Sequence, residues 1–105
     1  MAMPDNQGEI FRAKVNLETS QIAWKELQRH FASGATLAVA TDLDLVEVAC
    51  QMSSDNAEQI RQWMDTGKFG KVSDEQAKGW LATDEMLWAV VVSPWVLVQP
   101  VRQLQ

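Results

Sequence analysis

The stretch Leu87-Trp-Ala-Val-Val-Val-Ser-Pro-Trp-Val-Leu-Val98 is the most apolar part of this chain of 105 residues. Its first six residues are apolar at every position, which is typical of a strand covered on both faces at the centre of a sheet. Pro94 cannot donate a ladder hydrogen bond, so we expect the strand to bend, bulge or reach an edge there. The extended pattern resumes at Trp95 and ends at Pro100.

Two capping boxes upstream of this stretch predict helices. Asp55-Asn-Ala-Glu58 and Ser73-Asp-Glu-Gln76 each place a short polar side chain three residues before a Glu or Gln, which satisfies two backbone N–H groups at a helix start. The predicted helices cover residues 56–66 and 74–83. Their apolar stripes are Ala57, Ile60, Trp63 and Met64 in the first, and Ala77, Trp80 and Leu81 in the second. The link 68–72 fits a turn or a short strand.

A third helix is predicted over residues 18–33. Ile22, Ala23, Leu27, His30 and Phe31 recur at three- and four-residue spacing, and Gly34 is a common C-terminal stop. Weaker periodicity suggests a short helix at 9–15. Residues 1–8 are expected to form a flexible N-terminal arm, which leaves residues 9–105 as one domain.

Residues 36–41 and 45–52 are predicted to form an antiparallel hairpin. Both runs are rich in β-branched residues, and the short polar link Asp42-Leu-Asp44 separates them. Val46, Val48, Cys50 and Met52 alternate with Glu47 and Gln51, as in a half-buried strand. Because Leu45, Val48, Ala49 and Met52 also satisfy helical spacing, a helix at 45–52 is the alternative. These elements together predict an α+β fold, with a three- or four-stranded, mainly antiparallel sheet packed with about three helices.

The charge distribution argues against nucleic-acid binding. The net charge is −5, and the whole acidic excess lies between residues 35 and 66, where Arg61 faces six carboxylates. A protein that binds the phosphate backbone needs clustered Lys and Arg to displace counterions. The apolar stretches fall short of a membrane span, and no export signal is visible, so we expect a cytoplasmic protein without nucleic-acid or membrane partners.

Residues that could carry catalysis or hold a cofactor are sparse. One histidine and one cysteine cannot build a His/Cys zinc cluster, and the Asp42–Asp44 pair lacks the glycine turn of a calcium-binding loop. Cys50 has no Lys, Arg or His nearby in sequence to lower the pKa of its thiol, and His30 lies on the apolar side of its predicted helix. We therefore predict no catalytic residue, no metal and no cofactor.

The five tryptophans are the most distinctive feature of the composition. Trp63, Trp80 and Trp88 fit core positions. Trp24 lies at the edge of a stripe and Trp95 at a strand break, and margins of this kind favour partner-binding hot spots. Residues 95–98 would also offer an unpaired strand edge for strand addition. The predicted partner-binding residues are Trp24, Trp95, Val96 and Val98, with Asp42, Asp44 and Glu47 as an acidic rim.

The leading functional hypothesis is a non-catalytic interaction module that binds a protein partner or a second copy of itself. A small-molecule-binding domain or minor enzyme is the alternative. It would have a pocket between the helices and the sheet, lined by Trp63, Trp80 or Trp88.

The chain resembles a bacterial family known as domain of unknown function 2288. The resemblance covers about residues 10–99. The Leu-Asp-Leu-Val run at 43–46 and the Pro-Trp-Val-Leu-Val-Gln run at 94–99 are the most specific in combination. The other matching residues are Glu18-Thr19, Trp24-Lys-Glu-Leu27, Phe31-Ala-Ser-Gly34, Glu47-Val-Ala49, Asp55, Trp63, Gly67, Gln76, Trp80 and Val91-Val-Ser93. This resemblance implies a single domain of the bacterial cytoplasm and carries over no activity, substrate or cofactor.

Overall fold

The computed structural model describes residues 19–101. Within that range the chain forms an α+β fold with five strands, four α-helices and one 3-10 segment, so the predicted fold class is confirmed. The elements are β1 (Ser20–Ala23), the 3-10 segment (Trp24–Leu27), α1 (Gln28–Ala32), β2 (Thr36–Val39), α2 (Leu45–Ser53), α3 (Ala57–Asp65), β3 (Phe69–Lys71), α4 (Asp74–Ala82), β4 (Met86–Val92) and β5 (Trp95–Pro100). The predicted arm at 1–8 and helix at 9–15 lie outside the described residues.

The sheet is mixed and has the strand order β1-β4-β5-β2-β3 in the described part of the chain. The pairs β1–β4, β4–β5 and β2–β3 are antiparallel, whereas β2 and β5 are parallel. The sheet therefore has at least one strand more than the predicted three or four. The prediction missed the parallel pair because β2 and β5 are far apart in sequence, and no local pattern reports a long-range pairing.

Strand β5 occupies the centre of the sheet, so the predicted unpaired edge at residues 95–98 is wrong. The chain reverses at Ser93 and Pro94, and β5 then pairs along its length with β4, from Val92 opposite Trp95 to Leu87 opposite Pro100. Its other side is bonded to β2, with Leu37 opposite Leu97. Pro94 therefore ends one strand at a turn, and its missing N–H costs no ladder bond.

Apolar clusters cover both faces of the sheet. Along β5, Leu97 belongs to the first cluster and Val96 and Val98 to the second, as the alternation of side chains along a strand requires. Helices α2 and α3 lie over the first cluster, and the 3-10 segment and α4 lie over the second. The buried residues are Leu37, Val39, Leu45, Val48, Ala49, Phe69, Val90 and Leu97 in the first, and Trp24, Leu27, Val72, Ala77, Leu87, Val96 and Val98 in the second.

Residues 45–52 form helix α2, so the predicted strand and hairpin there are wrong and the helical alternative is right. The side chain of Asp44 accepts hydrogen bonds from the backbone N–H groups of Val46 (3.0 Å) and Glu47 (3.4 Å). This N-cap turns the polar link into a helix start. Leu45 and Val48 then face the sheet at helical spacing. Packing of that face against the sheet outweighs the strand preference of the β-branched residues.

The predicted helix at 18–33 is wrong over its first half. Ser20–Ala23 forms strand β1, whose residues pair with Met86–Ala89 of β4. The chain then makes the 3-10 segment and the short helix α1. The helical spacing was misleading because Ala23 is buried in strand β1 and Leu27 in the 3-10 segment, without a helix that joins them. His30 is exposed and does not lie on an apolar face.

The helices at 56–66 and 74–83 are confirmed to within one residue at each end. The capping box at Ser73 is present, with Ser73 and Gln76 hydrogen-bonded in both directions. The box predicted at Asp55 is not the start of α3. The N-cap there is Asn56, whose Oδ1 accepts from the Gln59 N–H at 3.3 Å. Asp55 instead closes the preceding helix.

All four α-helices of residues 19–101 end in the same motif. Two residues after each helix comes a residue with positive φ, and the N–H groups of this residue and the next donate to carbonyls of the last turn. Glycine supplies that conformation without steric cost, whereas a side chain is strained in it. The four residues are Gly34 (φ 78°), Asp55 (φ 60°), Gly67 (φ 75°) and Asp84 (φ 52°).

We expect Gly67→Ala to lower the free energy of unfolding by about 1 kcal/mol and Asp55→Gly to raise it by up to about 1 kcal/mol. No atom lies within 4 Å of the Cβ that a residue at 67 would carry, so the cost at that position is conformational and not steric. Urea denaturation of both variants measures the two changes. Equal signs for the two variants would contradict this account of the helix ends.

Candidate functional site

An open cleft of about 700 Å³ lies at one end of the first cluster. It lies where the turn between α2 and α3 meets the turn between β4 and β5. Its apolar lining comes from the end of α2, from one side of α3 and from both strands beside the Pro94 turn. The lining residues include Met52, Ile60, Met64, Val92 and Trp95, and the polar ones include Asn56 and Arg61.

Trp95 occupies the junction of this cleft with the core. It is the first residue of β5, it pairs with Val92 across the turn, and it is partly buried against the first cluster. A tryptophan in that position presents part of a large apolar ring to solvent while the rest packs against the core. The cleft therefore has a partly exposed aromatic wall.

Met64 is the exposed large apolar side chain of the lining. It lies at the end of α3, and 54% of its surface is accessible. Trp63, its neighbour, turns inward and packs against the first cluster. Methionine adapts its shape to different ligands because it is unbranched and polarizable. A cleft that combines an adaptable thioether with an indole is suited to binding an apolar group from outside.

The charged residues that line the cleft are one carboxylate and one guanidinium, Asp55 and Arg61. Their formal charges cancel, so the lining carries no net charge. Glu58 lies three residues before Arg61 on α3 and Asp65 four residues after it, and neither belongs to the lining.

Only one of the four predicted partner-binding residues lies at the cleft. Trp95 lines it, whereas Trp24, Val96 and Val98 belong to the second cluster and are 0%, 4% and 0% exposed. Trp24 packs edge-to-face against Phe31 and Trp80, with ring centroids 5.5 and 5.1 Å apart. Its position at a stripe edge was inferred from the first half of the predicted helix at 18–33, where Trp24 instead begins the 3-10 segment.

The predicted acidic rim lies at the other end of α2 and serves local structure. Asp42 is paired with Lys68, which ties the start of the α2 region to β3. Asp44 caps α2, and Glu47 accepts a hydrogen bond from Gln51 Nε2 at 2.6 Å. None of the three lines the cleft beside Trp95.

We expect Asp44→Ala to lower the free energy of unfolding by about 1 kcal/mol, because it removes the acceptor for two N–H groups of α2. Asp44→Asn keeps an acceptor at the N-cap and should stay within about 0.3 kcal/mol of the wild type. Thermal and urea unfolding compare the two variants. If Asn costs as much as Ala, the charge and not the cap is what Asp44 contributes.

The residues proposed for a pocket between helices and sheet are spread over two clusters. Trp63 and Trp88 pack against the first cluster and Trp80 against the second. None of the three lines the cleft at Trp95 or a smaller one of about 310 Å³ beside β2 and β3. They do not converge on one site.

Sequence reasoning placed Ile60 and Met64 in a core stripe and missed their role in the cleft. One side of the apolar stripe at 57, 60, 63 and 64 packs on the first cluster, and the other side lines the cleft. Helical periodicity shows the stripe but does not show where the sheet beneath it ends. Across residues 19–101, no group of three His, Cys, Asp or Glu side chains is arranged around a metal-sized space. Over the same residues, none of the helices has the length and apolar character needed to cross a membrane.

The fold and the cleft define a small α+β domain with a five-stranded mixed sheet between two helical layers. Comparison with known proteins agrees with this class. The chain belongs to the family described as Protein of unknown function (DUF2288), which it matches over residues 10–100. The resemblance inferred from the sequence is thereby confirmed.

The chain is also similar to a protein whose structure is solved, described as the NMR solution structure of PA1075 from Pseudomonas aeruginosa. The two are 42% identical, with a TM-score of 0.79, and the match covers 98% of this chain and 95% of that one. No curated protein matches the chain.

Proposed function

We propose that this domain is a non-catalytic interaction module of the bacterial cytoplasm, and that it binds its partner through the cleft between α3 and the Pro94 turn. The single observation that carries the proposal is the lining of that cleft, where Met64 is 54% exposed and Trp95 is partly buried against the first cluster. Tryptophan at the centre of such a surface is a frequent hot spot of binding energy.

The open shape of the cleft favours a macromolecular partner over an enclosed small ligand. Small-molecule sites bury most of the ligand surface in a cavity. Here the lining residues come from two turns and the outer side of one helix, so an occupant would stay partly exposed. A side chain of a partner protein, inserted between Met64 and Trp95, fits that geometry.

Site-specific photocrosslinking in the native host cell tests the proposal. A benzoylphenylalanine residue would replace Met64 at the cleft or Leu81 on α4. Leu81 is a matched control because it is also a large apolar helix residue and is 53% exposed. We expect a discrete covalent adduct from position 64 and none from position 81.

Two results would contradict the proposal. One is the absence of any adduct from position 64 in a protein that is folded by circular dichroism. The other is the same adducts from both positions, since these would reflect apolar exposure in general and not the cleft.

A further inference from the structure

We draw no further inference here: the strongest candidate, the outer edge of strand β1 (Ser20–Ala23) at one side of the sheet, has no paired strand among residues 19–101, and nothing in the structure shows what covers it.

Discussion

Replacement of Trp24 by alanine is expected to lower the free energy of unfolding by about 3–5 kcal/mol. The side chain is 0% exposed and contacts the rings of Phe31 and Trp80 in the second cluster. Removing the indole leaves a large cavity that a core of this size cannot close. Because domains of this kind are stable by only about 5–15 kcal/mol, a substantial part of the stability would be lost. Urea denaturation followed by far-ultraviolet circular dichroism measures the change.

Trp24→Phe is the informative companion variant. The Nε1–H group of Trp24 is buried and has no hydrogen-bond partner among the described residues. An orphaned donor costs about 1–3 kcal/mol, so phenylalanine loses apolar contact but also removes this penalty. We expect Trp24→Phe to stay within about 1.5 kcal/mol of the wild type. A loss as large as that of the alanine variant would show that the indole N–H is satisfied, and an unchanged stability in Trp24→Ala would place Trp24 at the surface.

Val98→Lys is expected to abolish the folded state, whereas Val91→Lys should change the free energy of unfolding by less than about 1 kcal/mol. Both valines lie on the same face of the sheet in neighbouring strands. Val98 is 0% exposed and belongs to the second cluster, whereas Val91 is 64% exposed and lies outside it. A lysine at 98 would be a buried charge with no partner, whereas a lysine at 91 reaches water.

This pair of variants also tests whether the second cluster covers Val98. Side chains of a strand point to the two faces of the sheet, so lysine at residue 98 is tolerated only where that face is open to water. Proton NMR spectra of the two variants, together with their unfolding curves, provide the comparison. A folded Val98→Lys protein would contradict the complete burial of Val98 in the second cluster.

Part of the candidate site could be predicted from sequence, and part could not. Trp95 was singled out because it follows Pro94 at a break between strands, and it does line the cleft. Val96 and Val98 were grouped with it on the assumption that residues 95–98 form an unpaired edge of the sheet. That assumption failed because the parallel partner, β2, precedes β5 by more than fifty residues.

The acidic residues illustrate the same limit. Asp42, Asp44 and Glu47 were predicted to form an acidic rim because of their negative charge alone. Each has a local structural contact, whereas the carboxylate that lines the cleft is Asp55. All four belong to the acidic segment at residues 35–66 that the sequence shows. Which of them faces the cleft depends on how α2 and α3 pack.

The sequence by itself determined the elements whose causes are local. The capping box at Ser73, the helix that ends at Gly67 and the apolar strand before Pro94 each follow from neighbouring residues, because caps, turns and proline act within a few positions of the chain.

The tertiary structure alone decided the remaining elements. It made residues 45–53 a helix, drew Ser20–Ala23 into the sheet and placed β5 at its centre. In these segments the local preferences were nearly balanced or favoured another conformation. The free energy gained by burying their apolar faces against distant parts of the chain exceeded the small free-energy difference between the local conformations.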